Sequence, residues 1–279
     1  MIRFVACLGL LAVMASIVAG PISAQVGTPP SPTPLPRAHA HNDYEHERPL
    51  IDALDHGFCG VEADIFFIDG KLLVAHDIED VRPDRTLESL YLDPLLEQVR
   101  NNGGRVYPGG PSVTLLIDIK NTGRETALAL LDALEPYREM LTVFSKDATQ
   151  PGAVTVIVSG FYPYDVLRER SPRLAAIDGR IPQLGESPHE VPLVSESWTK
   201  LFRWRGHGAP AEPDASNLKR MIAKAHAAGQ RIRFWNLPDG PGTLPVLYEM
   251  GVDLLNTDDL GAMRTFLLER MRAETATKE

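Results

Sequence analysis

Two acidic residues two positions apart, Glu62 and Asp64, stand between two histidines in chain order, His41 before them and His76 after. The flanking stretches read Ala40-His41-Asn42-Asp43-Tyr44, Gly60-Val61-Glu62-Ala63-Asp64-Ile65 and Val74-Ala75-His76-Asp77, and Asp118-Ile119-Lys120 ends a later apolar run. Side chains at i and i+2 of a strand share a face, so Glu62 and Asp64 are expected side by side. Adjacent carboxylates on an apolar strand repel unless a cation or a proton separates them. Glu62, Asp64 and Asp118, with the amide oxygen of Asn42, make an all-oxygen donor set. Such a set suits a hard divalent cation, Ca²⁺ or Mg²⁺, better than zinc. His41 and His76 can then move protons near neutral pH. Lys120 shares a face with Asp118 and is a candidate to hold a phosphate oxygen, as is Arg233. Trp235 is a candidate substrate wall or a core residue.

The elements that must carry these residues alternate between strand and helix. Arg37–His41, Gly60–Phe66, Val113–Ile119, Val154–Val158, Arg231–Trp235 and Val252–Leu255 read as strands, with weaker strand potential at Leu174–Ile177 and Val191–Val194. Helical spacing recurs at Pro49–His56, Leu87–Val99, after Thr122, around Leu218–Ala225, at Leu244–Met250 and at Leu260–Met271. Asp69-Gly70 is a turn signal predicting a hairpin that returns His76 toward Glu62. Thr122 with Glu125 three residues on has the pattern of a capping box. About eight strand–helix alternations fit a single-domain α/β fold, a (β/α)8 barrel. An open doubly wound sheet is the alternative, but no glycine-rich dinucleotide fingerprint supports it. In a barrel the candidate residues fall at or near the C-terminal ends of strands, where such folds place their sites.

The first 24 residues read as a secretory signal peptide, with Arg3 ahead of the uncharged apolar stretch Phe4–Gly20 and small residues at Ser23-Ala24. Residues 25–36, with five prolines between Gly27 and Pro36, read as an extended tether, leaving 37–279 as the folded domain. A secreted or periplasmic location follows as an expectation. The net charge of −9 argues against a nucleic-acid partner and against adhesion to anionic lipid. Beyond the leader no segment has the length and apolarity of a membrane span, so stable membrane insertion is not expected, and a monomer is. Cys59 is the single cysteine beyond the leader and reads as a buried core thiol.

Several readings of the same residues stay open. Glu62 and Asp64 can instead pair with Arg231 and Arg233, which share one strand face. Asp43 and Asp77 can orient the neighbouring histidines, and Ser159, Ser195 and Asn256 sit where substrate loops fall. His39, His56, His189, His207 and His226 read as structural or solvated. His39-x-His41 with Asp258 on the last strand would suit a zinc amidohydrolase-like barrel, but leaves Glu62-x-Asp64 without a role. A barrel that binds a phosphorylated ligand without turnover is the non-enzyme reading.

Taken together, His41, Glu62-x-Asp64, His76-Asp77 and Asp118-x-Lys120 resemble the phosphatidylinositol-phospholipase-C-like phosphodiesterases, which include glycerophosphodiester phosphodiesterases. His41-Asn42 followed by Tyr44 is similar to the start of the eukaryotic phospholipase C site, which implies Asn42 as a Ca²⁺ ligand. Asp118 before Lys120 is similar to sphingomyelinase D-type enzymes of the same superfamily, where glycerophosphodiesterases usually carry Glu. Arg233-Phe234-Trp235-Asn236 and Leu255-Asn256-Thr257-Asp258 resemble the last two strands of a little-characterised secreted branch. Glycerophosphodiesterases normally have Arg after the first histidine, where this chain has Asn42. The resemblance implies a divalent-metal phosphodiesterase using His41 and His76 as acid and base. Its substrates would be glycerophosphodiesters or phospholipid head groups, with a phospholipase D- or sphingomyelinase D-like lyase acting on choline lipids as the alternative.

Overall fold

A computed structural model describes residues 31–278. The expected leader and residues 25–30 of the expected tether lie outside the described residues. The rest of the tether reading shifts, because Leu35 and Pro36 already belong to the first strand.

Among the described residues eleven strands form: β1 (Leu35–Ala40), β2 (Phe58–Ile68), β3 (Lys71–Val74), β4 (Val113–Ile119), β5 (Val143–Phe144), β6 (Thr149–Gln150), β7 (Val154–Gly160), β8 (Ala175–Gly179), β9 (Leu193–Ser197), β10 (Arg231–Trp235) and β11 (Leu255–Thr257). Eight of them run parallel in the order β10-β9-β8-β7-β4-β2-β1-β11. A parallel bridge between Arg233 and Leu254 joins the two ends, so the sheet closes into a (β/α)8 barrel rather than an open doubly wound sheet. β3 turns back on β2 through Asp69-Gly70 with the expected antiparallel register, Ile65 opposite Val74. β5 and β6 make a small separate hairpin.

Alternation along each strand sorts the barrel interior into layers. On β4 the inward series is Thr114, Leu116 and Asp118. Register pairs these with Thr155, Ile157 and Ser159 of β7. The middle layer is apolar. Leu116, Ile157, Ala176, Leu193 and Leu254, with Phe144 from the hairpin, form a cluster of their own, separate from the large core between strands and helices. The barrel is thus plugged in the middle and polar at both mouths.

A few elements depart locally from the expected ones. The 87–99 segment begins as a π-helical turn, Glu88–Leu92, before the α-helix Asp93–Asn101. The helix Gly123–Leu134 starts where expected, but Thr122 sits at φ 34° and makes no side-chain cap. Its hydroxyl lies 3.0 Å from that of Thr126 instead. β9 forms two residues later than the weak signal at Val191–Val194 suggests. Cys59 is buried, and burial pushes its thiol up to about 12, as suits an inert core cysteine.

Candidate active site

The C-terminal mouth of the barrel holds a cleft of about 290 Å³. All expected site residues line it except Asp64, namely His41, Asn42, Glu62, His76, Asp118, Lys120, Arg233 and Trp235, joined by Ser159 and Arg180. Asp64 lies beneath it, 1% exposed. Strand ends position these groups. β2 supplies Glu62 and Asp64, with Asp64 in register with Asp118 of β4. One oxygen each of Glu62, Asp64 and Asp118 falls within 4.8 Å of the others.

Cations of the protein also hold these carboxylates. Arg233 pairs with Glu62, and its Nε donates to Asn256 Oδ1 at 2.6 Å. The ion-pair reading is therefore realised for Arg233, while Arg231 pairs with neither carboxylate of β2. Burial pushes the Glu62 carboxyl up, but Arg233 and His39 outweigh it and hold it down at about 2. Lys120 Nζ lies 2.8 Å from Asp64 and 3.3 Å from Asp118. Asp118 is raised to about 6 by burial, opposed by Lys120 and reinforced by Asp64 and Glu62. Asp64 is raised too, by burial, against the pull of Lys120 and Tyr44.

Each candidate proton carrier is anchored through Nδ1, which leaves Nε2 as its working nitrogen. His41 Nδ1 lies 2.8 Å from Asp258 Oδ1, beyond the end of β11. His76 Nδ1 lies 2.9 Å from the Tyr44 hydroxyl and 3.3 Å from Asp64 Oδ2. That hydroxyl donates its single proton to Asp64 at 2.6 Å, the shorter and charged contact. It then accepts from His76. Burial, with Asp64 second, raises the Tyr44 phenol far above its ordinary value, so it stays protonated. Asn42 stands in the left-handed region at φ 48°, with Oδ1 2.9 Å from the same hydroxyl. Trp235 is 37% exposed at the rim, a wall rather than core.

The histidine-orienting roles considered for Asp43 and Asp77 do not hold. Asp43 is fully buried, accepting from Leu50 N–H and from Tyr91, so it ties the β1–β2 connection to the next helix. Among the described residues Asp77 makes no side-chain hydrogen bond to His76, which Tyr44 and Asp64 hold instead. His39, read as structural or solvated, is fully buried with Nε2 3.1 Å from Glu62. Burial, with Arg233 second, lowers its imidazole to about 4, so it is a neutral donor to that carboxylate.

Sequence reasoning also missed Asp178 and Arg180. Arg180 Nη1 donates to Asp178 at 2.8 Å and Nη2 to Ser159 Oγ at 3.1 Å, while Ser195 donates to the other Asp178 oxygen at 2.6 Å. The signal was present, because Asp178-x-Arg180 repeats the spacing of Asp118-x-Lys120 at a strand end. Gly160, at φ +85°, is required by its neighbour: a Cβ there would stand 1.9 Å from Asp118 Oδ1.

Fold and cleft together define a (β/α)8 barrel with carboxylates ringed by histidines and cations at its C-terminal mouth. Residues 32–175 match the AIM6-like phosphodiesterase domain, and the chain belongs to that family. It is 31% identical to altered inheritance of mitochondria protein 6 of Eremothecium gossypii, over 83% of this chain and 69% of that protein. It is 27% identical to the homolog from Arthroderma benhamiae, over 84% of each, and 30% identical to the Saccharomyces cerevisiae protein, over 81% of this chain and 69% of that one. No solved structure matches.

Proposed function

We propose that this protein is a divalent-cation-dependent phosphodiesterase that cleaves glycerophosphodiesters or phospholipid head groups, with His41 and His76 exchanging protons with the reacting oxygens. The observation that carries this reading is the convergence of Glu62, Asp64 and Asp118 within 4.8 Å, flanked by two histidines that are each anchored through Nδ1. The residues suit a hard cation: the donors are all oxygen, and Asp64 Oδ1 is buried with no hydrogen-bond partner among the described residues. Glu62, Asp64 and Asp118 would hold it, with Asn42 beside them. Bound there, a cation would neutralise phosphoryl oxygens.

The remaining chemistry belongs to the chain. Lys120 and Arg233 meet the phosphate charge from the cleft wall. One histidine withdraws the nucleophile's proton through Nε2 and the other returns one to the leaving oxygen. Asp258 holds the His41 ring in place through Nδ1, and Tyr44 with Asp64 holds that of His76. Trp235 offers an apolar rim for the alcohol portion. A neighbouring hydroxyl on the substrate would make internal attack and a cyclic product favourable through proximity.

Export through residues 1–24, and work as a monomer on a small-molecule or lipid substrate without membrane insertion, belong to the same proposal. Among the described residues no helix is long and apolar enough to cross a membrane. The test is hydrolysis of bis-p-nitrophenyl phosphate with EDTA, Ca²⁺, Mg²⁺ or Zn²⁺, beside His41→Ala and Glu62→Gln. Turnover restored by Ca²⁺ or Mg²⁺ and lost in both variants supports it. Turnover with Zn²⁺ alone would sink the hard-cation reading.

A further inference from the structure

The opposite mouth of the barrel contains a second pocket, of about 370 Å³, that shares no lining residue with the catalytic cleft and sets one arginine and several hydroxyls among apolar side chains. The apolar plug of Leu116, Ile157, Ala176, Leu193 and Leu254 lies between the polar layers. Arg231 opens into this pocket beside Thr114, Thr142, Thr149, Thr155 and His189. We propose that the N-terminal mouth of the barrel is a binding site for an oxyanion of phosphate or sulfate type, seated on the Arg231 guanidinium and the surrounding threonine hydroxyls.

The argument begins with charge. Arginine stays protonated in proteins, and a desolvated cation is costly unless an anion accompanies it. The barrel's other two inward arginines obey this rule: Arg233 has Glu62 and Arg180 has Asp178. Arg231 has no carboxylate at ion-pair distance among the described residues. Its side-chain hydrogen bond is a neutral one, from Nη2 to Thr114 Oγ1 at 3.0 Å. Asp253 attracts it from a distance, but that carboxylate already accepts from the Ile232 N–H at 2.8 Å and from His226 Nε2 at 2.9 Å. Burial pushes the Arg231 guanidinium below its ordinary value, as expected for a desolvated charge without a counter-ion. A second buried cation backs the same wall. Arg173 donates to the His189 carbonyl at 2.6 Å and leaves its Nε without a partner among the described residues. Glu190 attracts Arg173 from a distance as Asp253 attracts Arg231, but neither arginine has a carboxylate at ion-pair distance among the described residues.

The donors suit a tetrahedral anion. A guanidinium offers N–H groups in a planar fork that fits two oxygens of one oxyanion. Hydroxyls reorient to donate. Thr142 and Thr155 lie 2.8 Å apart, and Thr149 lies 2.8 Å from His189 Nδ1, which leaves the imidazole Nε2 available.

The experiment is isothermal titration of sodium sulfate, then inorganic phosphate, into the wild-type protein, Arg231→Met and Lys120→Met at constant ionic strength. Lys120→Met removes a cation of the catalytic cleft and controls for binding there. The expected result is an affinity that drops about tenfold or more in Arg231→Met and survives in Lys120→Met. Binding that survives in Arg231→Met and vanishes in Lys120→Met would place the anion in the catalytic cleft and overturn the proposal, as would no binding to the wild type. If Arg231→Met does not fold, sulfate-dependent NMR shifts of His189 and Gly229 in the wild type decide. Movement there with no movement at His41 and His76 supports the site, and unmoved His189 and Gly229 signals reject it.

Discussion

The two mouths of this barrel are built from the same strands and solve the problem of buried charge in opposite ways. At the C-terminal mouth, every charged group on the interior faces a partner of opposite sign: Glu62 with Arg233, Asp64 and Asp118 with Lys120, Asp178 with Arg180. At the N-terminal mouth, Arg231 faces hydroxyls. Arg231 and Arg233 are two residues apart on β10 and differ by one layer in the barrel. The acids sit near the C-terminal end of the stretch of β2 that pairs with β4, which stops at Ile65, and near the ends of β4 and β8, so only the upper arginine meets one. Strand polarity thus makes one mouth a dense, nearly neutralised network suited to chemistry. It leaves the other mouth with an arginine that has no carboxylate at ion-pair distance among the described residues.

The sharpest way to break this comparison is turnover. His41→Ala and His76→Ala should each lower the rate of phosphodiester hydrolysis by roughly 10²–10⁴-fold, the usual contribution of a positioned acid or base. Arg231→Met should leave it within about twofold, since the apolar plug separates that residue from the cleft. A large loss of kcat in Arg231→Met with the fold intact would show that the two mouths communicate.

Stability separates the arginines in the reverse direction. Arg233→Met strands Glu62, 5% exposed, without its cation, and should cost about 3–5 kcal/mol in urea unfolding. Arg231→Met strands no acid and removes a desolvated charge, so it should be within about 1 kcal/mol of wild type or stabilising. Equal losses for the two substitutions would mean that Arg231 has a compensating partner after all.

Much of the catalytic mouth was legible because period-2 spacing is local. Glu62-x-Asp64, Asp118-x-Lys120 and Arg231-x-Arg233 each declare a shared strand face, and an apolar run ending in a charged pair declares a strand end. What remained hidden depends on closure of the barrel. The Glu62–Arg233 and His41–Asp258 pairs join the first strands to the last. No local pattern encodes that meeting, so Asp258 was weighed as a zinc ligand rather than as the anchor of His41. Tyr44 escaped for a different reason: as an aromatic two residues beyond Asn42, it reads as packing, yet its hydroxyl joins Asp64 and His76. Asp178-x-Arg180 went unread because the glycine- and proline-rich stretch that follows it has loop character, although β8 and β9 flank that stretch.

The acidic cluster should also give the catalytic mouth a pH dependence of its own. Asp118 is raised to about 6 from an ordinary 3.8, mainly by burial. A cation needs the ionised carboxylate, so its affinity should fall as pH drops through 6, by about tenfold per unit for one competing proton. The cation-free protein should move the other way. A carboxyl raised on folding binds its proton more tightly in the native state, so stability rises as pH falls from about 6 toward 4. Asp43, also raised to about 6 by burial, contributes in the same sense and in the same window. Titration of Mg²⁺ or Ca²⁺ at pH 5 and 7.5, paired with urea unfolding in EDTA, checks both signs. Cation affinity that does not change between those pH values would remove Asp118 from the ligand set.

The smallest expected effect distinguishes the two histidine anchors within the catalytic mouth. Asp258 is exposed, with 75% of its side chain accessible, so its pull on His41 is screened by water and salt. Tyr44 is 3% exposed and bonded to a carboxylate that is itself 1% exposed, so its hold on His76 acts in a far lower dielectric. Asp258→Ala should therefore reduce kcat by only a few fold, and less at high salt, whereas Tyr44→Phe should reduce it by roughly tenfold with little salt dependence. Tyr44→Phe also frees Asp64 from a charged hydrogen bond, so its loss should appear in cation affinity as well as in kcat. A loss from Asp258→Ala that exceeds that from Tyr44→Phe would reverse the order and make the exposed carboxylate the more important anchor.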